Sequence, residues 1–320
     1  MRKMTSIIQL LYFSDLLPDK YPDDSANLFA ALEKHHVAYG FIKGAKDIRI
    51  RDFMPIQIRG RFKRDNVLFR YEPSYLKNHR DLQTDFLQDI DTDWQLVNGW
   101  RPPRDFDKSE INLDGGNILI SRGTRDEKVV IISDRIFSEN PQYGKAELVR
   151  ELASVIDHRG CEMIIIIPSL ESDITGHADN MVRFLDGQTV LCNEAFSSDS
   201  LNQKLQTILQ YHGLDMLEFP SASTDGKGSY LNYLETDEAV FLPVFGIEAD
   251  ARAVAAAEKL FISQPSLTTA IRELESEMGV TIFSRTNRGV IVSREGEEFL
   301  GYARQILSQA QLLQERFSGR

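Results

Sequence analysis

The sequence predicts an α/β protein that passes, near residue 250, into a mainly α segment. Three observations predict it. Up to that point short apolar runs alternate with amphipathic stretches in a loose strand–helix–strand rhythm, although the units share no sequence identity. Beyond it, Leu267, Ala270, Ile271 and Leu274 recur at helical spacing, and Phe299, Ala303, Ile306, Ala310, Leu313 and Phe317 step alternately by four and three. The length of 320 residues exceeds a usual domain of ~100–200 residues, which supports a division into residues 1–250 and 251–320. No Gly/Ser/Pro-rich linker separates the two parts.

In chain order, Ile7–Phe13 reads as a strand, Ser25–His36 as an amphipathic helix carrying Leu28 and Leu32, and Val37–Ile42 as a second strand ended by Gly44. Asp47–Gln57 alternates like a strand up to Pro55, which lacks an amide donor and marks an edge or loop. Asp52 would then face a cleft, or form with Arg51 a solvated charge pair. Between Phe62 and Asp107 the pattern weakens, and Arg101-Pro102-Pro103 breaks it. Ile111–Ile120 gives a strand, the glycine turn Gly115-Gly116 and another strand, which suits a plain hairpin or a ligand loop equally. Val129–Ser133, the helix Lys145–His158 and the apolar run Met163–Pro168 continue the rhythm. So do Thr189–Cys192, the helix Leu201–His212, Met216–Phe219 and Ala239–Phe245.

Composition excludes several classes. Apolar residues at 42% and charged residues at 27% describe a soluble globular chain. The net charge of −11 argues against a uniformly basic nucleic-acid binder and favours cationic ligands. Cys161 and Cys192 show no CxxC or Cys-His spacing, so no disulfide scaffold, metal site or cofactor is expected, and both read as small core residues. The short apolar stretch Ile7–Tyr12 offers neither a signal peptide nor a membrane span, and a cytoplasmic location is the expectation.

One stretch carries candidate chemistry. In Thr175–Phe184, His177 and Asp179 stand two apart, and on a strand they would face the same side. A proton-transfer group would then sit beside a cation-binding carboxylate. The plain alternative is a satisfied surface pair.

Five segments together resemble, in order, the landmarks of agmatine deiminases and bacterial-type peptidylarginine deiminases. They are Arg51-Asp52-Phe53-Met54-Pro55, Asp114-Gly115-Gly116-Asn117, Gly176-His177-Ala178-Asp179-Asn180, Gly228-Ser229-Tyr230-Leu231-Asn232 and Phe241–Gly246. The resemblance spans residues 1–250 and implies a pentein fold, a propeller-like ring of ββαβ modules around a central site. It implies that Asp52 and Asp179 clamp a guanidinium, with Asp114 and Asn117 joining the substrate contacts, and that His177 is the acid/base. Carboxylates suit a planar guanidinium because it binds them bidentately. The family's chemistry also needs a cysteine thiolate. The family places it in a glycine-rich segment ending His-Cys near the C-terminus, and nothing like that lies beyond Phe245 here.

The stretch from Ala256 to Leu313 instead resembles the winged helix-turn-helix of LysR-type regulators. Ser263 can cap a helix with Pro265 in its first turn. The stripe Leu267, Ala270, Ile271, Leu274 would be buried, leaving Ser266, Thr268, Thr269 and Arg272 to a DNA groove. Gly279 ends that helix, and Thr281–Phe283 and Val290–Val292 bracket a wing carrying Arg285 and Arg288. The expected DNA-contact set is Ser263, Gln264, Pro265, Ser266, Thr268, Thr269, Arg272, Arg285 and Arg288. Phe299–Phe317 would pair two copies as a heptad seam, or serve as a core helix in a monomer.

Two functions are expected on these grounds. The first is a deiminase-like protein that binds a guanidino small molecule or an arginine side chain without its nucleophile. The second is a DNA-binding regulator, dimeric through Phe299–Phe317, that senses a guanidino compound. A chimera with neither activity is the third possibility.

Overall fold

The computed structural model describes residues 10–57, 66–90, 106–121, 128–157, 161–194, 200–222, 229–236, 239–261, 275, 278–286 and 289–302. The backbone forms two compact units, residues 1–256 and 257–320. Among the described residues no helix is long and apolar enough to cross a membrane.

The first unit opens with β1 (Leu10–Ser14), the short α1 (Leu17–Lys20), α2 (Pro22–Lys34) and β2 (Ala38–Ile42). β1 and β2 pair in parallel, Leu10 opposite Ala38, because α2 carries the chain back over the sheet. Pro22 opens α2 at a position where no amide partner is needed, and Leu32 is fully buried beneath it. The chain then makes a single turn of helix, α3 (Ile50–Phe53), before β3 (Ile56–Gln57).

The strand expected over Asp47–Gln57 is therefore largely a helical turn. The reason is local: the Asp47 carboxylate accepts the Ile48 amide at 2.7 Å and the Arg49 side chain at 2.6 Å, and the Asp52 and Met54 amides close back onto Arg49 and Ile50.

Three three-stranded sheets come next, and they share one topology. β3 pairs antiparallel with β4 (Asn66–Arg70), which, beyond a connection containing α4 (Phe86–Asp89), pairs parallel with β5 (Asp107–Asn112). β6 (Ile118–Ile120) pairs antiparallel with β7 (Lys128–Ser133); after α5 (Arg135–Glu139) and α6 (Lys145–Asp157), β8 (Cys161–Ile167) returns parallel to β7. β9 (Val182–Phe184), β10 (Thr189–Asn193), α7 (Ser200–Tyr211) and β11 (Asp215–Phe219) repeat the arrangement. The antiparallel pair β12 (Leu234–Glu235) and β13 (Val240–Phe241) begins it once more and leads into α8 (Ala249–Phe261). The strand expected over Ala239–Phe245 shrinks to β13 because Pro243 has no amide to donate. The His35 ring just past α2 meets Phe241 edge-on at 5.7 Å, so the first and last strand pairs of this unit adjoin.

Helix burial explains why the units hold. α6 turns Leu148, Leu152 and Ile156, spaced by four, onto the sheet of β6–β8, and all three are at most 1% exposed. α7 does the same with Leu205 and Leu209 against a cluster that includes Ile165, Val190 and Cys192. Each such side chain contributes about 1.5–3 kcal/mol relative to an exposed position.

In the second unit, β14 (Phe283–Thr286) and β15 (Gly289–Val292) form an antiparallel hairpin, Arg285 opposite Val290, succeeded by a helix over 294–302. The Glu275 carboxylate accepts the Ile282 and Phe283 amides, and Gly279 turns the chain at φ +66°. Residues 262–274, Arg288 and most of Phe299–Phe317 lie outside the described residues, and with them nearly all of the expected DNA-contact and dimer positions. Arg285 stands on β14.

Candidate functional site

The candidate residues sit where the chain leaves one sheet for the next. Gly115-Gly116-Asn117 is a single turn of 3₁₀ helix between β5 and β6, which belong to different sheets, so of the two readings of this stretch the plain hairpin is replaced by a crossing. Ala178-Asp179-Asn180 is the equivalent turn between β8 and β9, and Tyr230-Leu231-Asn232 the one after β11. His177 and Asp179 are thus not on a strand: His177 is the extended residue before the turn and Asp179 lies within it. Gly176 at φ +61° makes that entry possible, while Asp173 ties the approach by accepting from Thr175 and Asn180.

The turns are laced to one another by short side chains. Asp52 Oδ1 accepts the Gly116 amide at 3.1 Å. Asn117 Oδ1 accepts the amides of Ser133 at 3.0 Å and Ala178 at 3.3 Å, and Asn180 Oδ1 accepts the Asn232 amide group at 3.0 Å. Asn117 is therefore a brace between turns through its side-chain oxygen.

His177 is buried between two carboxylates. Its Nε2 lies 2.8 Å from Asp114 Oδ2 and its Nδ1 3.9 Å from Asp52 Oδ1. Tyr75 donates its hydroxyl to the same Asp114 oxygen at 2.9 Å and sets its ring edgewise against the imidazole. Asp114 thus holds the histidine through Oδ2. Tyr75 in turn is fixed through Ser74, whose amide and hydroxyl donate to Glu139 of α5. Gly116 has no room for a side chain: a Cβ there would stand 2.4 Å from His177 Nδ1 and 2.9 Å from Asp52 Oδ1.

This crowding sets the electrostatics. Burial would lower the proton affinity of His177, but the Asp114 hydrogen bond and the charges of Asp52, Asp114 and Asp179 outweigh it and raise the pKa to about 9. Burial pushes Asp52 up to about 6, against the pull of the His177 cation. Burial also raises Asp179, opposed by Arg51, His177 and Arg183. The Tyr75 phenol is held well above its ordinary value by burial and by Asp114. With its pKa at about 9 the His177 imidazole is protonated near neutrality and can donate a proton, and the carboxyl groups of Asp52 and Asp114 flank it.

Asp179 is set apart from the trio. Its Oδ2 lies 3.7 Å from Arg51 Nε, and it is partly exposed. Of the residues expected from sequence, Asp52, Asp114 and His177 meet directly, Asp179 joins through Arg51, and Asn117 supports from beneath. Sequence reading missed Tyr75, and it offered Arg51 only as the partner of Asp52 in a charge pair. Tyr71 and Tyr75 four apart are the one signal for the former, and they fall in the weakly patterned stretch after Phe62.

Neither cysteine approaches this chemistry. Cys192 on β10 is 1% exposed within the core, with its thiol near Asn202 and burial pushing its pKa up to about 12. Cys161 begins β8, whereas His177 lies past the far end of that seven-residue strand, roughly 20 Å along.

Known structures show the fold. The agmatine deiminase of C. jejuni superposes with a TM-score of 0.57 at 18% identity, covering 78% of this chain and 84% of that one. The agmatine deiminase of Enterococcus faecalis gives 0.52 at 16% identity, over 80% and 76%. The mixed α/β architecture is that of the pentein-fold deiminases. The sequence profile of Porphyromonas-type peptidyl-arginine deiminases matches residues 25–281, and the chain belongs to that family. Shorter matches lie with HTH-type transcriptional regulators. PcaQ of Agrobacterium fabrum is 50% identical over 50 residues, 16% of each chain. YraN of Bacillus subtilis is 38% identical over 55 residues, 17% of this chain and 19% of that protein. The chain spans about a fifth or less of the length of these curated relatives.

Proposed function

We propose that the first unit is a guanidino-binding site of deiminase type that holds its ligand without hydrolysing it. The observation that carries this reading is the buried Asp52–His177–Asp114 cluster, with Asp179 beside it, in a chain whose buried Cys192 and distant Cys161 are its only cysteines. The carboxylates suit a flat monocation. The imidazolium can hold a proton at Nδ1 toward Asp52, but C–N cleavage by this route needs a thiolate that attacks the guanidinium carbon. A ring of ββαβ modules fits the repeated three-stranded sheets. The family match and the agmatine deiminases of similar fold support agmatine or peptidyl-arginine as the first ligands to try. Titration calorimetry with agmatine should show binding, abolished in Asp52→Asn, while ammonia release stays at background. Ureido-product formation that His177→Ala abolishes would overturn the inactive reading.

A second reading concerns the other unit. The regulator matches and the β14–β15 hairpin ahead of the helix over 294–302 support a winged helix-turn-helix that binds duplex DNA, with Arg285 on the wing and dimerisation through Phe299–Phe317. Duplex affinity should fall steeply with added salt, because phosphate neutralisation releases counterions. A monomer with no duplex affinity at low salt would dismiss it.

A further inference from the structure

We propose that Arg51 is a positioning residue of the guanidino site: its side chain holds the Gly115–Asn117 turn against Asp52 and supplies the positive charge that faces Asp179. The inference rests on the guanidino-binding role proposed for the first unit and adds to it.

Arg51 and Asp52 are neighbours on a one-turn helix and so point roughly 100° apart. Asp52 reaches the Gly116 amide and His177. Arg51 donates from Nε to the Gly115 carbonyl at 3.0 Å and from Nη2 to the Ile118 carbonyl at 3.3 Å, the two carbonyls that bracket the same turn. The two backbones touch here, since a Cβ on Gly115 would fall 1.9 Å from the Arg51 carbonyl oxygen. The dipeptide is a clasp: one side chain takes the turn's amide, the other its carbonyls. A planar fork bridges the two carbonyls with its donors already fixed in place, whereas an ammonium is a point charge on a loose stem.

The same guanidinium faces Asp179 at 3.7 Å. His177 and Arg183 also act on Asp179 by charge, less than Arg51 does, and each has other partners. His177 is held by Asp114 and Asp52, Arg183 lies over the Tyr233 ring at 3.6 Å and near Glu235, and Asp173 is itself an acid. Arg51 bonds otherwise to neutral carbonyls, so its charge falls on Asp179. A ligand guanidinium therefore meets a clamp in which one carboxylate is already steadied by the protein's own guanidinium.

The test uses the full chain with ¹³C-labelled aspartate, Asp179 being assigned through Asp179→Asn, together with agmatine titrations across pH. In Arg51→Gln the Asp179 titration should move up, agmatine affinity should fall by about tenfold or more, as expected for losing charge-assisted contacts, and the acid limit of binding should shift to higher pH. Arg51→Lys should restore the Asp179 titration but not the affinity. Unmoved Asp179 and His177 titrations in a folded Arg51→Gln would overturn the proposal. If that variant loses its fold, Arg51→Lys decides, and wild-type affinity there overturns the proposal as well. If agmatine fails to bind the unaltered chain, the guanidino reading falls, while the carboxyl titration still judges Arg51.

Discussion

Gly116 shows how little room the site leaves. Its missing side chain lets His177 and Asp52 close over the backbone, so Gly116→Ala should cost about 1–3 kcal/mol in urea denaturation, the range for overpacking a tight core. Gly115→Ala should be worse, because it meets the Arg51 carbonyl and not a side chain that can swing away. His177 makes a second, signed prediction. Its pKa rises from 6.5 to about 9 on folding, so its contribution is complete below pH 6.5 and is lost as pH rises through 9. The melting temperature should decline over that window, and His177→Gln should flatten the decline. A decline unchanged in the variant would assign it to other groups.

At the scale of elements, the crossing turns matter more than the strands they join. Asn117→Ala would leave the buried amides of Ser133 and Ala178 without their shared acceptor. At ~1–3 kcal/mol for each unmade buried bond, the loss should be about 2–6 kcal/mol by chemical denaturation. Leu152→Ala beneath the β6–β8 sheet should cost about 2–5 kcal/mol by opening a cavity.

These elements also show what the sequence could and could not convey. α2, α6 and α7 are legible because each keeps one period long enough to count, as Leu148, Leu152 and Ile156 do, and β8 because its apolar run is unbroken from Met163 to Ile167. Asp52 and His177 are legible only through ordered landmarks, and the strands expected to carry them are turns instead. Turns of three or four residues carry no period, and Asp47 and Asp173 shape them by bonding their own neighbours. The Tyr71–Tyr75 spacing marks a pair of tyrosines but not their partner, because nothing in the spacing between residues 75 and 177 encodes the meeting of Tyr75 with His177.

For the whole molecule, the separation of acid/base cluster from any accessible thiol has a direct consequence. Treating the folded chain with iodoacetamide should leave agmatine affinity unchanged, since Cys192 is sealed in the core and Cys161 opens β8 at its far end. Affinity lost on alkylation and protected by agmatine would place a cysteine in the site. The net charge of −11 also means that duplex binding by the second unit would work against the chain's overall field, so it should be detectable first at low salt. The lacing of the turns bears on the molecule in another way. Asp52 grips the next turn, Asn117 the one after it, and Asn180 the last, each reaching across from one sheet to its successor. An error in how any sheet is seated is passed along that line to the imidazole at its middle. The His177 ring is thus a built-in gauge of assembly: one sharp signal with a high titration midpoint reports that the sheets joined by these turns have found their places.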